Sequence, residues 1–297
     1  MRVLDVLTSP EPCFSFEFFP PKTPAGEAAL FRSIEQLKEQ EPGFVSVTCG
    51  AMGTTRGKTV EWASTIKHEV GIEPLVHMTC LGVSLEEIDA AIDQTRQAGL
   101  TNILALRGDP PQDLTPVPKG AFQFANELIS YIRSQYSDAC LLAACYPEGH
   151  TESPNKLADI DALKLKSDAG TDAFVTQLFF DNSKYFEFLG RARSAGITQP
   201  IVPGIMPIQN VEQVKRFTQI CGATIPSHLL KLLEQYKDSQ SAVFYIGIAH
   251  AIAQCRELLE SGVPGVHFYT LNKSPATKIV VEALRKEIGD LPRIGKN

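Results

Sequence analysis

Short runs of β-branched, aliphatic and aromatic residues alternate along the chain with longer stretches whose apolar residues fall at helical spacing. The runs are Cys13–Phe18, Phe44–Thr48, Leu75–Thr79, Ile103–Leu106, Leu141–Tyr146, Ala173–Phe179, Ile201–Ile205 and Val266–Leu271. Glu27–Gln40 carries Leu30, Ile34 and Leu37 one helical turn apart. Ser84 is placed to cap a helix, with Glu87 positioned to close a capping box. Phe122–Ser134, Leu157–Ala169 and Lys184–Ala195 follow the same rule, and Gly99, Gly170 and Gly196 fall just past helix ends. Three helical stretches, Val211–Cys221, Ile225–Lys237 and Ala242–Ser261, separate the seventh run from the eighth. Pro110–Pro118 reads as a long loop after the fourth strand.

Each parallel crossover needs its own helix, so this alternation predicts an α/β fold with a parallel sheet. Eight such units close into a (β/α)8 TIM barrel, here with extra helices between strands 7 and 8. A doubly wound open sheet would carry a glycine-rich phosphate turn after its first strand. That strand runs instead into Phe18-Phe19-Pro20-Pro21, and no GxGxxG occurs. No linker or composition shift divides the chain, so residues 1–297 are expected to form one domain.

A parallel barrel places its chemistry at the C-terminal strand ends. The polar residues expected there are Glu17, Thr48, His77, Arg107-Gly108-Asp109, Tyr146, Gln177 and Tyr269. Side chains two apart share a strand face. Ser15 goes with Glu17, Ser46 with Thr48, Ala144 with Tyr146, and Val175 with Gln177; Ile103, Ala105, Arg107 and Asp109 form a further set on this reckoning. Glu17 stands among four phenylalanines, where burial would raise its pKa towards that of a general acid. Plainer roles stay open for each: an edge carboxylate for Glu17, an ion pair for Arg107 and Asp109, a structural histidine for His77, core aromatics for Tyr146 and Tyr269. The convergence of all of them on one cavity favours a site.

Composition narrows the chemistry. The net charge of −6 gives no footprint for nucleic acid or an anionic membrane. No apolar run is long enough to span a bilayer. The first residues do not form a secretion or transit signal, so the 7 cysteines are expected to be reduced thiols in the cytoplasm. No strand body carries a lysine for a Schiff base, and HExxH, a Cys/His cluster, a P-loop and GxSxG are all missing. Such a barrel suits hydride or one-carbon chemistry on a bound cofactor, with no metal.

The segments SFEFFPPKT, FVSVTCGA, PLVHMTC, LALRGDPP, AACYPEGH, TQLFFD, VPGIMPI and HFYTLNK, taken together and in this order, resemble the methylenetetrahydrofolate reductase family of the bacterial, single-domain type. The resemblance spans nearly the whole chain and implies the same barrel. It implies bound FAD, NADH or NADPH as electron donor, and ping-pong reduction of 5,10-methylenetetrahydrofolate to 5-methyltetrahydrofolate at one shared site. By resemblance Glu17 is the general acid and Asp109 the carboxylate near flavin and pterin. FAD contacts would come from Thr48, Ala51, His77, Arg107, Gly108, Asp109, Tyr146, His150, Asp159 and Lys166. Substrate contacts would come from Gln177, Gln213, Phe217, Tyr269 and Lys273. The folate and the nicotinamide are the expected small-molecule partners, and a homo-oligomer is the expected assembly. With no domain after the barrel, no feedback by S-adenosylmethionine is expected.

Cys49, Ala162, Leu165 and Lys273 depart from the family pattern. Ala162 and Leu165 lend support to one alternative, a partner subunit of the same family that has lost the cofactor; a flavin-poor reductase and a pterin-binding barrel methyltransferase are the two others.

Overall fold

The computed structural model describes residues 1–21, 23–49, 56–110 and 119–288. Its strands are β1 (Cys13–Phe18), β2 (Phe44–Val47), β3 (Pro74–Thr79), β4 (Asn102–Leu106), β5 (Cys140–Cys145), β6 (Ala173–Thr176), β7 (Ile201–Val202), β8 (Gly204–Ile205) and β9 (Gly265–Tyr269). All pair in parallel, in the order β7-β6-β5-β4-β3-β2-β1-β9-β8. The two ends of this order are one interrupted strand. Pro203 separates β7 from β8, and a proline has no N–H to give to a ladder. Its carbonyl still accepts from the His267 amide at 2.9 Å, so β7 pairs with β6, β8 pairs with β9, and the barrel closes with eight strands.

The helices expected from the sequence are present: α2 (Pro24–Lys38), α4 (Leu85–Gln97), α5 (Ala125–Gln135), α6 (Lys156–Asp168), α7 (Asn182–Ser194), α8 (Val211–Cys221), α9 (Ser227–Gln235) and α10 (Gln240–Glu260). Ser84 and Glu87 form the capping box at the start of α4. The last three of these helices are the extra ones before the closing strand β9. Three helices escaped the sequence analysis. α3 (Arg56–Thr65), continued by a wider-wound turn over Ile66–Val70, fills the crossover from β2 to β3, and α11 (Ser274–Ile288) follows β9. α1 (Val3–Leu7) covers the bottom of the barrel.

Two packed layers result. The outer layer sets Phe16, Val47, Ile103, Ala105, Val266 and Phe268 of the strands against helix residues such as Leu30, Ile34, Leu128 and Val280. Inside, the lower barrel is apolar: Val3 and Leu7 of α1 pack on Phe44, Leu75, Leu104, Leu142 and Val175. The Asn102 side chain accepts the Val3 amide at 2.7 Å and donates to the Met1 carbonyl at 3.0 Å, which ties α1 to the strands. Above this plug the interior turns polar, with Ser15, Glu17, Ser46, His77, Thr79 and His267 all buried.

The face assignment is corrected at β4. Leu104 and Leu106 point inward, and Ile103 and Ala105 face the helices. The alternation that carried Arg107 and Asp109 onto the inner face therefore started from the wrong parity. The chain leaves the sheet after Leu106 and Gly108 takes φ 85°, so strand parity does not govern the residues beyond β4. The proline-rich loop expected over Pro110–Pro118 falls outside the described residues after Pro110.

Candidate active site

A cavity of about 1050 Å³ opens at the C-terminal ends of the strands, above the polar layer. That is the upper end of the roughly 300–1,000 Å³ usual for small-molecule sites. Its wall includes ten of the expected site residues: Glu17, Thr48, His77, Gly108, Asp109, Tyr146, His150, Gln177, Phe217 and Tyr269. The α8 helix brings Phe217, Ile220 and Cys221 to the mouth, with Asn210 capping it by accepting the Gln213 amide at 2.8 Å.

Glu17 forms part of the floor, with 8% of its surface exposed. Its Oε2 accepts from the Ser46 hydroxyl at 3.2 Å and lies 3.4 Å from His77 Nε2 and 3.5 Å from His267 Nε2. Burial pushes the carboxyl up, but the hydrogen bond from His267, the charge interactions with His77 and His267, and the Ser46 hydroxyl outweigh it. The net direction is down, which corrects the expectation that burial raises this group. Burial pushes His77 down to about 4 against the pull of Glu17, so its imidazole is neutral near pH 7. His77 Nε2 and the Thr79 hydroxyl are buried, and neither has a hydrogen-bond partner among the described residues.

Cationic side chains gather behind one wall, close to His150 and Tyr146. Arg107 pairs with Glu152, whose hydrogen bond holds the guanidinium above its ordinary range. Arg107 is therefore tied by hydrogen bond to the β5–α6 loop, with the Asp109 charge acting on it more weakly. Lys166 sits on α6 seven residues after Asp159, on the same helix face. Its ammonium donates to the Ala144 carbonyl at 2.9 Å and lies 5.4 Å from the centre of the Tyr146 ring; burial pulls its pKa down. Asp159 accepts the His150 amide at 3.1 Å, and burial raises its carboxyl. The His150 ring stands edge-on to Tyr146 at 4.7 Å.

Of the other expected residues, Gln213 is half-buried on α8 and Lys273 is exposed after β9; neither reaches the wall. Ala51 lies outside the described residues. The Tyr269 ring lines the cavity, but its hydroxyl is engaged by the Thr176 carbonyl. Ala162 and Leu165 lie on the exposed face of α6, away from the wall, whereas Cys49 is part of it.

Three residues here were not singled out from the sequence. His267 and Thr79 stand two positions from Tyr269 and His77 on the same strand faces, so parity would have found both. Asn272 is the third: its side chain accepts the Phe19 amide at 2.7 Å and donates to the Phe19 carbonyl at 2.9 Å, clamping the β1 and β9 ends together. Leu271 and Asn272 both take positive φ, 53° and 57°, and Leu271 lines the cavity. Two consecutive left-handed non-glycine residues beside a site store strain of order 1–3 kcal/mol each.

The family model described as methylenetetrahydrofolate reductase matches residues 2–285. The chain belongs to this family. It is 35% identical to 5,10-methylenetetrahydrofolate reductase of Escherichia coli over 91% of this chain and 90% of that one. It is 34% identical to the enzyme of the same name from Pectobacterium carotovorum, over 91% and 89%. Methylenetetrahydrofolate reductase (NADH) 1 of Arabidopsis thaliana is 40% identical over 92% of this chain but 49% of its own length. The chain spans about half the length of the plant and yeast relatives it matches.

Among solved structures, an uncharacterized protein from Clostridium thermocellum that binds two copies of 5-methyl-5,6,7,8-tetrahydrofolic acid has a TM-score of 0.61 at 15% identity, over 97% of this chain and 99% of that one. A 2,3-dimethylmalate lyase of the PEP mutase/isocitrate lyase superfamily has a TM-score of 0.54 at 12% identity, over 100% and 90%. At these identities the likeness is one of fold. Among the described residues no helix is long and apolar enough to cross a membrane.

Proposed function

We propose that this chain reduces 5,10-methylenetetrahydrofolate to 5-methyltetrahydrofolate, with FAD held at the strand ends and NADH or NADPH as electron donor. The observation that carries the reading is Glu17: a carboxyl on the floor of a large cavity, facing it from a buried network of proton-bearing groups. Family membership and the two bacterial relatives support the substrate.

The residues present fit FAD. The Thr79 hydroxyl and His77 Nε2 are buried polar atoms in want of a partner at the wall. Gly108 presents bare backbone there at φ 85°, and Arg107 and Lys166 bring cationic groups close behind the lining residues His150 and Tyr146. Thr48, His77, Gly108, Asp109, Tyr146 and His150 would hold the group, with Asp159 behind them and Arg107 and Lys166 serving its pyrophosphate or ribityl chain. Ala51 is assigned to the same contact set. Bound there, FAD supplies a two-electron carrier between the nicotinamide and the folate.

In this reading Glu17 delivers a proton to a nitrogen of the folate's five-membered ring, which opens that ring at the one-carbon group. Asp109 holds a negative charge at the wall. Gln177 offers an amide to the pterin, although its Oε1 is engaged with the Leu178 amide at 2.8 Å in this structure. Phe217 provides a face for either substrate to stack on. Gln213 and Lys273 are assigned to the folate's outer part; as neither reaches the wall, they would meet only the portion that extends beyond it. A single cavity taking the nicotinamide and the folate in turn gives ping-pong kinetics.

An anaerobic absorbance spectrum tests the reading. The purified protein should be yellow, bleach with NADH or NADPH, and regain colour when methylenetetrahydrofolate is added. A protein with no flavin that still methylates or reduces a pterin would replace this reading, and a bleached protein that the folate does not reoxidise would refute the substrate.

A further inference from the structure

Ser15 and Glu17 both point inward from β1, and strand pairing gives each two neighbours. Ser15 pairs with Phe44 on β2 and His267 on β9; Glu17 pairs with Ser46 and Tyr269. His267 therefore sits one layer below Glu17, with 1% of its surface exposed. Phe44 stacks on its ring at 5.7 Å and an interplanar angle of 13°, and Tyr269 stands edge-on at 5.6 Å. These aromatic contacts leave the ring little freedom to rotate. Ser15 Oγ lies 2.8 Å from Nδ1, which leaves Nε2 to face upward, 3.3 Å from Ser46 Oγ and 3.5 Å from Glu17 Oε2.

Proton counting assigns the ring. A serine hydroxyl has one proton to donate. Ser46 gives its proton to Glu17, so towards His267 it can only accept. Nε2 must then carry the hydrogen, and in the neutral ring Nδ1 is the acceptor that Ser15 satisfies. His267 is thus held as a donor aimed at the Ser46–Glu17 pair. His77 approaches the same oxygen from β3 but lacks hydrogen-bond geometry.

We propose that His267, pinned by Ser15, is the positioning residue that keeps the Glu17 carboxyl ionised and oriented before a ligand binds, so that Glu17 takes up its proton when a ligand breaks this contact. The inference rests on the acid role given to Glu17 above. An acid ionised at rest has to gain its proton before it can give it. A ligand that draws the Glu17 oxygen away from Nε2 removes a donor that favours the charged form, and the carboxyl becomes easier to protonate. The direction for Glu17, down although burial pushes it up, accords with this. The titratable groups facing it are His77 from β3 and His267 and Tyr269 from β9; burial and the Glu17 charge both hold Tyr269 in its neutral form.

Infrared titration of the protein alone tests the inference. The C=O stretch of a protonated Glu17, isolated by subtracting the spectrum of Glu17→Gln, reads this one carboxyl. In His267→Leu the band should emerge at a pH higher by about one unit or more than in the unaltered chain, a tenfold change in proton affinity. His267→Gln keeps a neutral N–H and should return the band most of the way. If His267→Leu does not fold, Ser15→Ala frees the ring at Nδ1 and should move the band in the same direction. A band at the same pH in the unaltered chain, in Ser15→Ala and in any His267 variant that folds overturns the inference. The kcat/KM for the folate, which reports the groups of the free protein and should fall as pH rises through the Glu17 titration, should shift alongside the band. An unaltered chain that reduces no folate would sink the proposed function and leave the infrared result standing. A rate profile that stays put while the band moves would sink the inference alone.

Discussion

The Tyr269 hydroxyl donates to the Thr176 carbonyl at 2.5 Å, bridging β9 and β6 across the seam where the barrel closes on an interrupted strand. Thr176 serves the seam twice, since its Oγ1 accepts the Gly204 amide at 2.8 Å. A side chain at 204 has no room: a Cβ there would run into the Thr176 carbonyl oxygen and lie 2.6 Å from the Tyr269 ring. Tyr269→Phe strands the carbonyl and should lower unfolding stability by about 1–3 kcal/mol. Gly204→Ala forces backbone apart and should cost at least as much, about 1–3 kcal/mol or more. Urea unfolding of both variants checks this; an unchanged Gly204→Ala midpoint would show that the seam is looser than its contacts indicate.

Replacement of Glu17 separates the two half-reactions of the proposed activity. Glu17→Gln removes the proton and keeps the shape, so folate reduction should fall about 10²–10⁴-fold, the usual range for a lost general acid. Reduction of bound flavin by NADH requires no such proton donor and should proceed within a few-fold of the unaltered rate. Stopped-flow absorbance measures each half separately. Equal loss in both would mean that Glu17 supports the cavity and not the proton transfer.

Asn272 holds the cavity rim under strain. Its amide clamps the Phe19 backbone from both sides, and it sustains two adjacent left-handed residues. Asn272→Ala removes both hydrogen bonds and places alanine where asparagine is better tolerated. The loss should be about 1–3 kcal/mol in stability, with a weakened KM for the folate because Leu271 and Phe19 both line the cavity. Asn272→Gly relieves only the backbone strain and should recover stability ahead of KM. If both quantities recover together, the clamp acts through strain alone.

The barrel was legible because its signals are local. Period-two runs, capping residues and helix ends lie within a few positions of each other, and Cys13–Phe18 and Val211–Cys221 match the observed β1 and α8 end to end. The features that the sequence hid depend on distant partners. The polarity of the β4 faces was misassigned because Arg107 and Asp109 lie past the strand and do not belong to it. The Glu17 environment was read as desolvation alone, since nothing local reveals that His267, from the far end of the chain, and His77 face the same oxygen. Gln213 shares an α8 face with Phe217, yet only Phe217 reaches the wall. Helix α1 was missed because its five residues carry too little pattern; its place is set by the apolar barrel bottom that it covers.

His77 makes the fold sensitive to acid. Its folded-state pKa is depressed to about 4 from an ordinary 6.5, chiefly by burial. Between those values the unfolded chain binds the proton and the folded chain does not, so stability falls as pH drops through that window. From pH 7.5 to pH 5 this one group should remove about 2 kcal/mol. Glu17, also depressed, adds to the loss only at lower pH, as the carboxyl protonates on approaching its folded-state value. Urea unfolding at pH 7.5 and pH 5 measures the difference, and His77→Gln, which has no proton to gain, should shrink it by most of that amount. An equal drop in His77→Gln would assign the acid sensitivity to groups elsewhere in the chain.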